Sequence, residues 1–166
     1  MKLIALSAIG LMAVMSPGAT LAQEAAPHEM TRQRFEEYLR LFNAGDERFA
    51  QFYANDVVFH HAPMFGVLKG RQAIVDFYKN IRLQVSEEVT PHVVVVDNRQ
   101  GLMAAELSTR LVALRDGVAM PSGNLKRGDM IITEGTVYYT LENGLISAIR
   151  GSRSGGQKVP AGSAAR

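Results

Sequence analysis

From residue 28 to residue 83 the apolar positions recur at helical spacing. Phe35, Tyr38, Leu39 and Phe42 fall three and four apart, which places them on one face of a helix over residues 28–44. Thr31 stands where its hydroxyl can cap that helix. Asn43-Ala44-Gly45-Asp46 ends the pattern and opens a second, short helix through Phe49, Phe52 and Tyr53. Residues 57–61, Val-Val-Phe-His-His, then read as a strand that Ala62-Pro63 stops. Gly66 and Gly70 mark a turn region, and a third helix runs over residues 71–83 with Ile74, Phe77, Tyr78 and Ile81 on one side.

Beyond that point the period drops to two. Residues 89–96, 102–114, 130–141 and 145–153 alternate as half-buried strands do. The segment Asp97-Asn98-Arg99-Gln100-Gly101 and the tripeptide Glu142-Asn143-Gly144 read as hairpin turns between them. Residues 116–128 form a longer loop with little to pack. Helices followed by a run of antiparallel strands predict an α+β fold: three N-terminal helices packed on a strongly curved, mostly antiparallel sheet that encloses one apolar cavity.

The ends of the 166-residue chain read differently. Lys2, an apolar run over residues 3–15, the breaker Ser16-Pro17-Gly18 and the small-x-small triplet Thr20-Leu21-Ala22 have the order of a signal peptide. Residues 1–22 are therefore expected to be removed, leaving a domain over residues 23–153 in the periplasm or outside the cell, with no membrane attachment. Residues 154–166, rich in Gly, Ser, Ala and Lys/Arg, are expected to be disordered. The net charge of +2, without a basic run, leaves no footprint for nucleic acid. The absence of cysteine excludes disulfides, thiolate zinc sites and a Cys nucleophile.

The order helix, short helix, strand, helix, four strands resembles the NTF2-like superfamily, in particular its SnoaL-like and ketosteroid-isomerase-like branches. The resemblance is carried by Asn43-Ala44-Gly45-Asp46, by residues 52–60 (Phe-Tyr-Ala-Asn-Asp-Val-Val-Phe-His), by residues 69–78 (Lys-Gly-Arg-Gln-Ala-Ile-Val-Asp-Phe-Tyr) and by residues 138–146. It covers residues 28–153 and implies a cone-shaped fold around one small-molecule pocket. It also implies a homodimer, because one sheet face often pairs subunits in this fold. Ketosteroid isomerases carry a tyrosine five residues before Asn-Ala-Gly-Asp that donates to the substrate oxyanion; Tyr38 has that spacing. Their general base lies at the end of the first strand, where alignment on Gly70 places His61. Their second acid falls on Val137, and the carboxylate of limonene-epoxide-hydrolase-like members falls close to Gly151. The resemblance therefore implies neither reaction in its familiar form.

Histidine exchanges a proton near neutral pH, and a buried phenol needs a hydrogen-bond partner that a ligand oxygen can provide. His61 and Tyr38 are accordingly the candidate catalytic pair. His60 and His61 are neighbours in a strand, so they are expected on opposite faces, with only one towards a pocket. Opposite faces cannot share one ion, and His28 and His92 lack ligand spacing, so no metal is expected. Phe35, Phe42, His60, Met64, Phe65, Phe77 and Tyr139 are candidate pocket residues. Arg153, with the parity of Ile149 and Gly151, could orient an anionic or phenolic ligand at the mouth. On the strand over residues 102–114, Glu106, Ser108 and Arg110 are assigned to the outer face and Leu107, Thr109 and Leu111 to the inner one. Without a Gly-rich phosphate loop or nucleophile motif, no cofactor is expected. The reading is a cofactor-independent lyase, isomerase or cyclase acting on a small, apolar, oxygen-bearing molecule, aromatic ones included, with a non-catalytic carrier or sensor as the alternative.

Overall fold

The structure, a computed structural model, describes residues 29–61, 65–121, 123–153 and 156–163. The expected signal segment, residues 1–22, and Met64 lie outside these. Helix α1 spans Arg32–Asn43, capped by the Thr31 hydroxyl, which accepts from the Arg34 N–H at 3.1 Å. A 3₁₀ segment, Glu47–Phe52, follows behind an Asp46 cap and buries Phe49, Ala50 and Phe52. Strands β1 (Tyr53–His60) and β2 (Val67–Lys69) come next, then α2 (Arg71–Arg82). Strands β3 (Val85–Asp97), β4 (Leu102–Ala113), β5 (Met130–Glu142), β6 (Leu145–Arg153) and β7 (Gln157–Val159) complete the chain.

The expectation of three N-terminal helices needs correction. There are two α-helices and one 3₁₀ segment among the described residues, and β1 and β2 separate α2 from the other two. The middle segment has only six residues, with Phe49 and Phe52 buried three apart, the repeat of a 3₁₀ turn. The sheet has the order β2-β1-β6-β5-β4-β3, with β7 added on β5. It is mixed, because β1 runs parallel to β6 while the other pairs are antiparallel. Register shifts at Tyr53/Val58, Pro91/Val93 and Thr140/Leu141 bend the strands and let the sheet curl over α1.

Alternation settles the two faces. Met103, Ala105, Leu107 and Thr109 of β4 are buried while Glu106 and Arg110 are exposed, as the sequence pattern predicts. The β5–β6 hairpin turns on Asn143 (φ 51) and Gly144 (φ 72), the left-handed pair that a tight two-residue turn requires. At Gly101 a Cβ would lie 2.7 Å from the Leu141 carbonyl oxygen, so only glycine closes the β3–β4 turn against β5.

Two asparagines tie α1 to the sheet. Asn43 both donates to the Val89 carbonyl and accepts from its N–H, each at 2.9 Å, like one rung of a ladder. Asn98 does the same for Met30, at 2.9 and 3.1 Å. The helix is thus held at both ends over the curl, and the space left beneath its middle becomes the cavity.

Two further expectations fail. The loop over residues 116–128 buries Val118 and Leu125, which join Val85, Ala113 and Ile131 in a small second core. The tail expected to be disordered supplies β7, which pairs with Met130, Ile131 and Ile132 and extends the β6 side of β5. Asp129 fixes it: the carboxylate accepts from the Ala161 and Lys126 N–H groups at 3.0 Å and pairs with Lys158 at 3.1 Å. Compositional bias concealed a strand only three residues long.

Candidate active site

A cavity of about 430 Å³ lies between α1, α2 and the inner face of the sheet. Tyr38, Leu39 and Phe42 reach it from α1, Tyr53 from the start of β1, and Tyr78 from α2. Glu87 and Val89 of β3, Leu107 of β4, Val137 and Tyr139 of β5, and Ile149, Gly151 and Ser152 of β6 form the sheet wall. His60, at the end of β1, and His61, just after it, border the cavity as well. The volume lies in the range of pockets that take small organic molecules.

A phenol pair lines the cavity. The Tyr38 and Tyr53 hydroxyls are 2.8 Å apart, and both residues are buried. Two O–H groups share one mutual hydrogen bond, so one O–H of the pair remains unspent. Neither hydroxyl has another hydrogen-bond partner among the described residues. Burial pushes both phenols well above the usual tyrosine range. Neighbouring Tyr53 adds to this for Tyr38, as does neighbouring Tyr78 for Tyr53. At neutral pH the pair is therefore a neutral donor, and its spare hydrogen needs an acceptor. Arg71, at the start of α2, donates to the Tyr53 backbone carbonyl and holds that residue in place.

The imidazole of His61 also borders the cavity. His61 has left the strand and its ring packs against Phe59, Phe65 and Phe77, with centroids 4.7, 4.8 and 5.0 Å away. Its backbone N–H donates to the Phe59 and Gly66 carbonyls at 3.1 Å, which turns the chain at this point. His60 ends β1 and is exposed. The expectation that only one of the two faces the pocket is corrected: both border it, because strand alternation stops at His60.

The other predicted pocket residues divide. Phe42 and Tyr139 line the cavity. Phe35 does not. It is fully buried behind Tyr38, stacked on that ring at 5.6 Å and edge-on to Tyr139 at 5.3 Å. Phe65 and Phe77 pack around His61 and do not line the cavity themselves. The backbone of Arg153 closes β6 opposite Gly135, and its side chain lies outside the described residues. Val137 and Gly151, the positions at or close to which the resemblance puts carboxylates, are register partners on the wall. The sequence reading missed Tyr53, Tyr78 and Glu87. Glu87 has the inward parity of Val85 and Val89, a signal that was available. Among the described residues no group of three or more His, Asp or Glu is placed to hold a metal ion.

No curated protein matches the chain. Several solved structures share its fold. One is a candidate polyketide cyclase from Xanthomonas campestris pv. campestris, 21% identical with a TM-score of 0.60, over 70% of this chain and 84% of that one. Another is the Δ5-3-ketosteroid isomerase from Mycobacterium sp., 18% identical with a TM-score of 0.57, over 75% and 95%. A third is an LEH-like epoxide hydrolase from M. tuberculosis, 14% identical with a TM-score of 0.55, over 72% and 79%. The model of the SnoaL-like domain matches residues 35–149, which contain most of α1, strands β1 to β5, the first part of β6 and every cavity position except Gly151 and Ser152. The chain therefore belongs to the SnoaL-like family of the NTF2-like superfamily.

Proposed function

We propose that this protein is a cofactor-independent acid/base enzyme of lyase, isomerase or cyclase type. Its substrate is a small, largely apolar, oxygen-bearing molecule, with aromatic compounds among the candidates. One observation carries this reading: the imidazole of His61 and the unspent O–H of the Tyr38–Tyr53 pair border the same cavity of about 430 Å³. The substrate oxygen accepts from the phenol pair, which stabilises charge as it develops there. His61 removes or relays the proton. Mature protein acts in the periplasm or outside the cell, as the leader-like residues 1–22 suggest.

His61→Ala should lower turnover about 10²–10⁴-fold, the usual contribution of a positioned general base. Tyr38→Phe should lower it about 10²-fold, the loss expected for one oxyanion donor. Both variants should keep the wild-type circular dichroism spectrum. Full turnover in both would end the assignment. The substrate screen starts from enolisable ketones, epoxides and phenolic ethers that fit the cavity.

Val137 and Gly151 favour a second reading, a carrier or sensor. Both stand on the wall at or close to the positions where the resemblance puts carboxylates, and neither can accept a proton. Ligand binding that survives His61→Ala, with no product formed, would select it.

A further inference from the structure

A cation stands behind the aromatic wall of the cavity. Arg82, the last residue of α2, lays its guanidinium over the Phe42 ring at 4.7 Å from the centroid, with Tyr78 at 5.5 Å and Phe49 at 5.7 Å. It also donates to the Phe42 carbonyl at 2.5 Å. Arg82 does not line the cavity, but Phe42 and Tyr78 do. No carboxylate lies within ion-pair distance of it among the described residues. Its side chain is half-buried.

Part of this is structural. Phe42 is near the end of α1, where the last carbonyls lack helical partners and a cation is welcome. Capping accounts for the hydrogen bond and for the stacking that joins α1 to α2. It does not cancel the charge. With no described carboxylate in ion-pair distance, the guanidinium projects a positive potential past Phe42 and Tyr78 into the cavity, where screening is weaker than in bulk water. That potential favours the ionised form of both Tyr38 and Tyr53, against the larger effect of their burial. Other titratable groups line the same cavity: Tyr78 from α2, Tyr139 from β5, Glu87 from β3, His60 at the end of β1 and His61 after it. Of these, Glu87 disfavours a negative charge on Tyr38.

We propose that Arg82 is a positioning residue whose charge, set behind the Phe42–Tyr78 wall, stabilises negative charge on a ligand oxygen held by the Tyr38–Tyr53 pair. The inference rests on the reading of the cavity as an oxygen-binding site and narrows its ligands. The favoured class is one whose oxygen becomes anionic when bound or during reaction, such as phenols and enolisable ketones, ahead of ethers and hydrocarbons of the same size.

The test uses 2-naphthol, whose neutral and ionised forms differ in absorbance, with naphthalene as the oxygen-free reference. The pH at which bound naphthol is half ionised is read for wild type, Arg82→Gln, Arg82→Lys, Arg82→Met and Tyr38→Phe. Removing the charge with Gln should raise that midpoint by about half a pH unit or more, the effect of one charge acting through a partly polar medium. Lys should hold the midpoint near wild type. Met, whose chain can still pack between the rings, should match Gln and replaces it if Gln does not fold. Naphthalene affinity should stay within about twofold across the folded Arg82 variants, since their apolar walls are alike. An unmoved midpoint in the uncharged variants, or an equal rise in Lys and Met, would overturn the role of the charge. If 2-naphthol fails to bind wild type, or binds Tyr38→Phe as tightly, the oxygen-site reading itself falls and takes this inference with it.

Discussion

At the scale of single residues, the Tyr38–Tyr53 pair gives a measurable consequence. Each hydroxyl is the other's only hydrogen-bond partner among the described residues, so the two are energetically coupled. Tyr38→Phe and Tyr53→Phe should each lower stability by about 1 kcal/mol, the net worth of one hydrogen bond. The double variant should cost clearly less than the two losses added, because the first change already breaks the shared bond. Urea denaturation of the four proteins measures this, and strict additivity would contradict the coupling. Tyr38 was legible from helix spacing and from the Asn-Ala-Gly-Asp that follows it. Tyr53 was not, although its type is right for the site. It sits between a 3₁₀ turn and a strand whose register shifts before Val58, so no single period connects it to Val57 and Phe59. Glu87 was lost to a boundary: the strand was expected from Val89 and begins at Val85.

At the scale of elements, position over the sheet depends on a few polar ties. Asn43 makes both of its hydrogen bonds to the backbone of Val89, so Asn43→Ala removes two at once. It should cost about 2 kcal/mol by the same measure of one per bond. It should also weaken ligand binding, since the end of α1 carries Leu39 and Phe42 into the cavity. Fluorescence titration with 2-naphthol beside a urea melt separates the two effects; wild-type stability would deny the clamp. The tail clasp makes a different prediction. The Lys126 and Ala161 N–H groups, then Lys158, hold the Asp129 carboxyl at about 2, below its ordinary value. A lowered value means a stabilising contribution that is full above the unfolded carboxyl's ~3.9 and fades as pH falls towards the folded value. The melting temperature of Asp129→Asn should therefore lie below wild type at neutral pH, with the gap closing towards pH of about 2. A gap independent of pH would exclude the clasp. The major helices and strands were legible because each buries one face over many residues. β7 was not, because its order comes from Asp129, a distant residue, and not from any pattern of its own.

At the scale of the whole molecule, one sheet faces two ways. Its inner face is spent on α1 and the cavity. On the outer face Val95, Ala104, Tyr138 and Arg150 stand in register across four strands. Val95 is 61% exposed, Tyr138 54%, and the neighbouring Val93 and Leu102 50% each. Isolated exposed apolar side chains need no explanation, but a row of them across adjacent strands makes a patch of the kind that proteins cover. A second copy of the chain covers such a face economically, since a two-fold axis sets the same row against itself. A stable pair needs about 800 Å² from each partner, more than these four side chains provide, so the polar Glu106 and Thr136 positions should lie within the contact as well. The cavity is lined by the inner-face residues Leu107, Val137 and Tyr139, so pairing through the outer face should leave ligand binding intact. Light scattering should accordingly give twice the chain mass at micromolar concentration. Val95→Glu and Leu102→Lys should each shift the population to monomer while the cavity still binds 2-naphthol. A wild-type monomer would leave the apolar row without this partner. A dimer indifferent to both substitutions would place the contact elsewhere on the molecule.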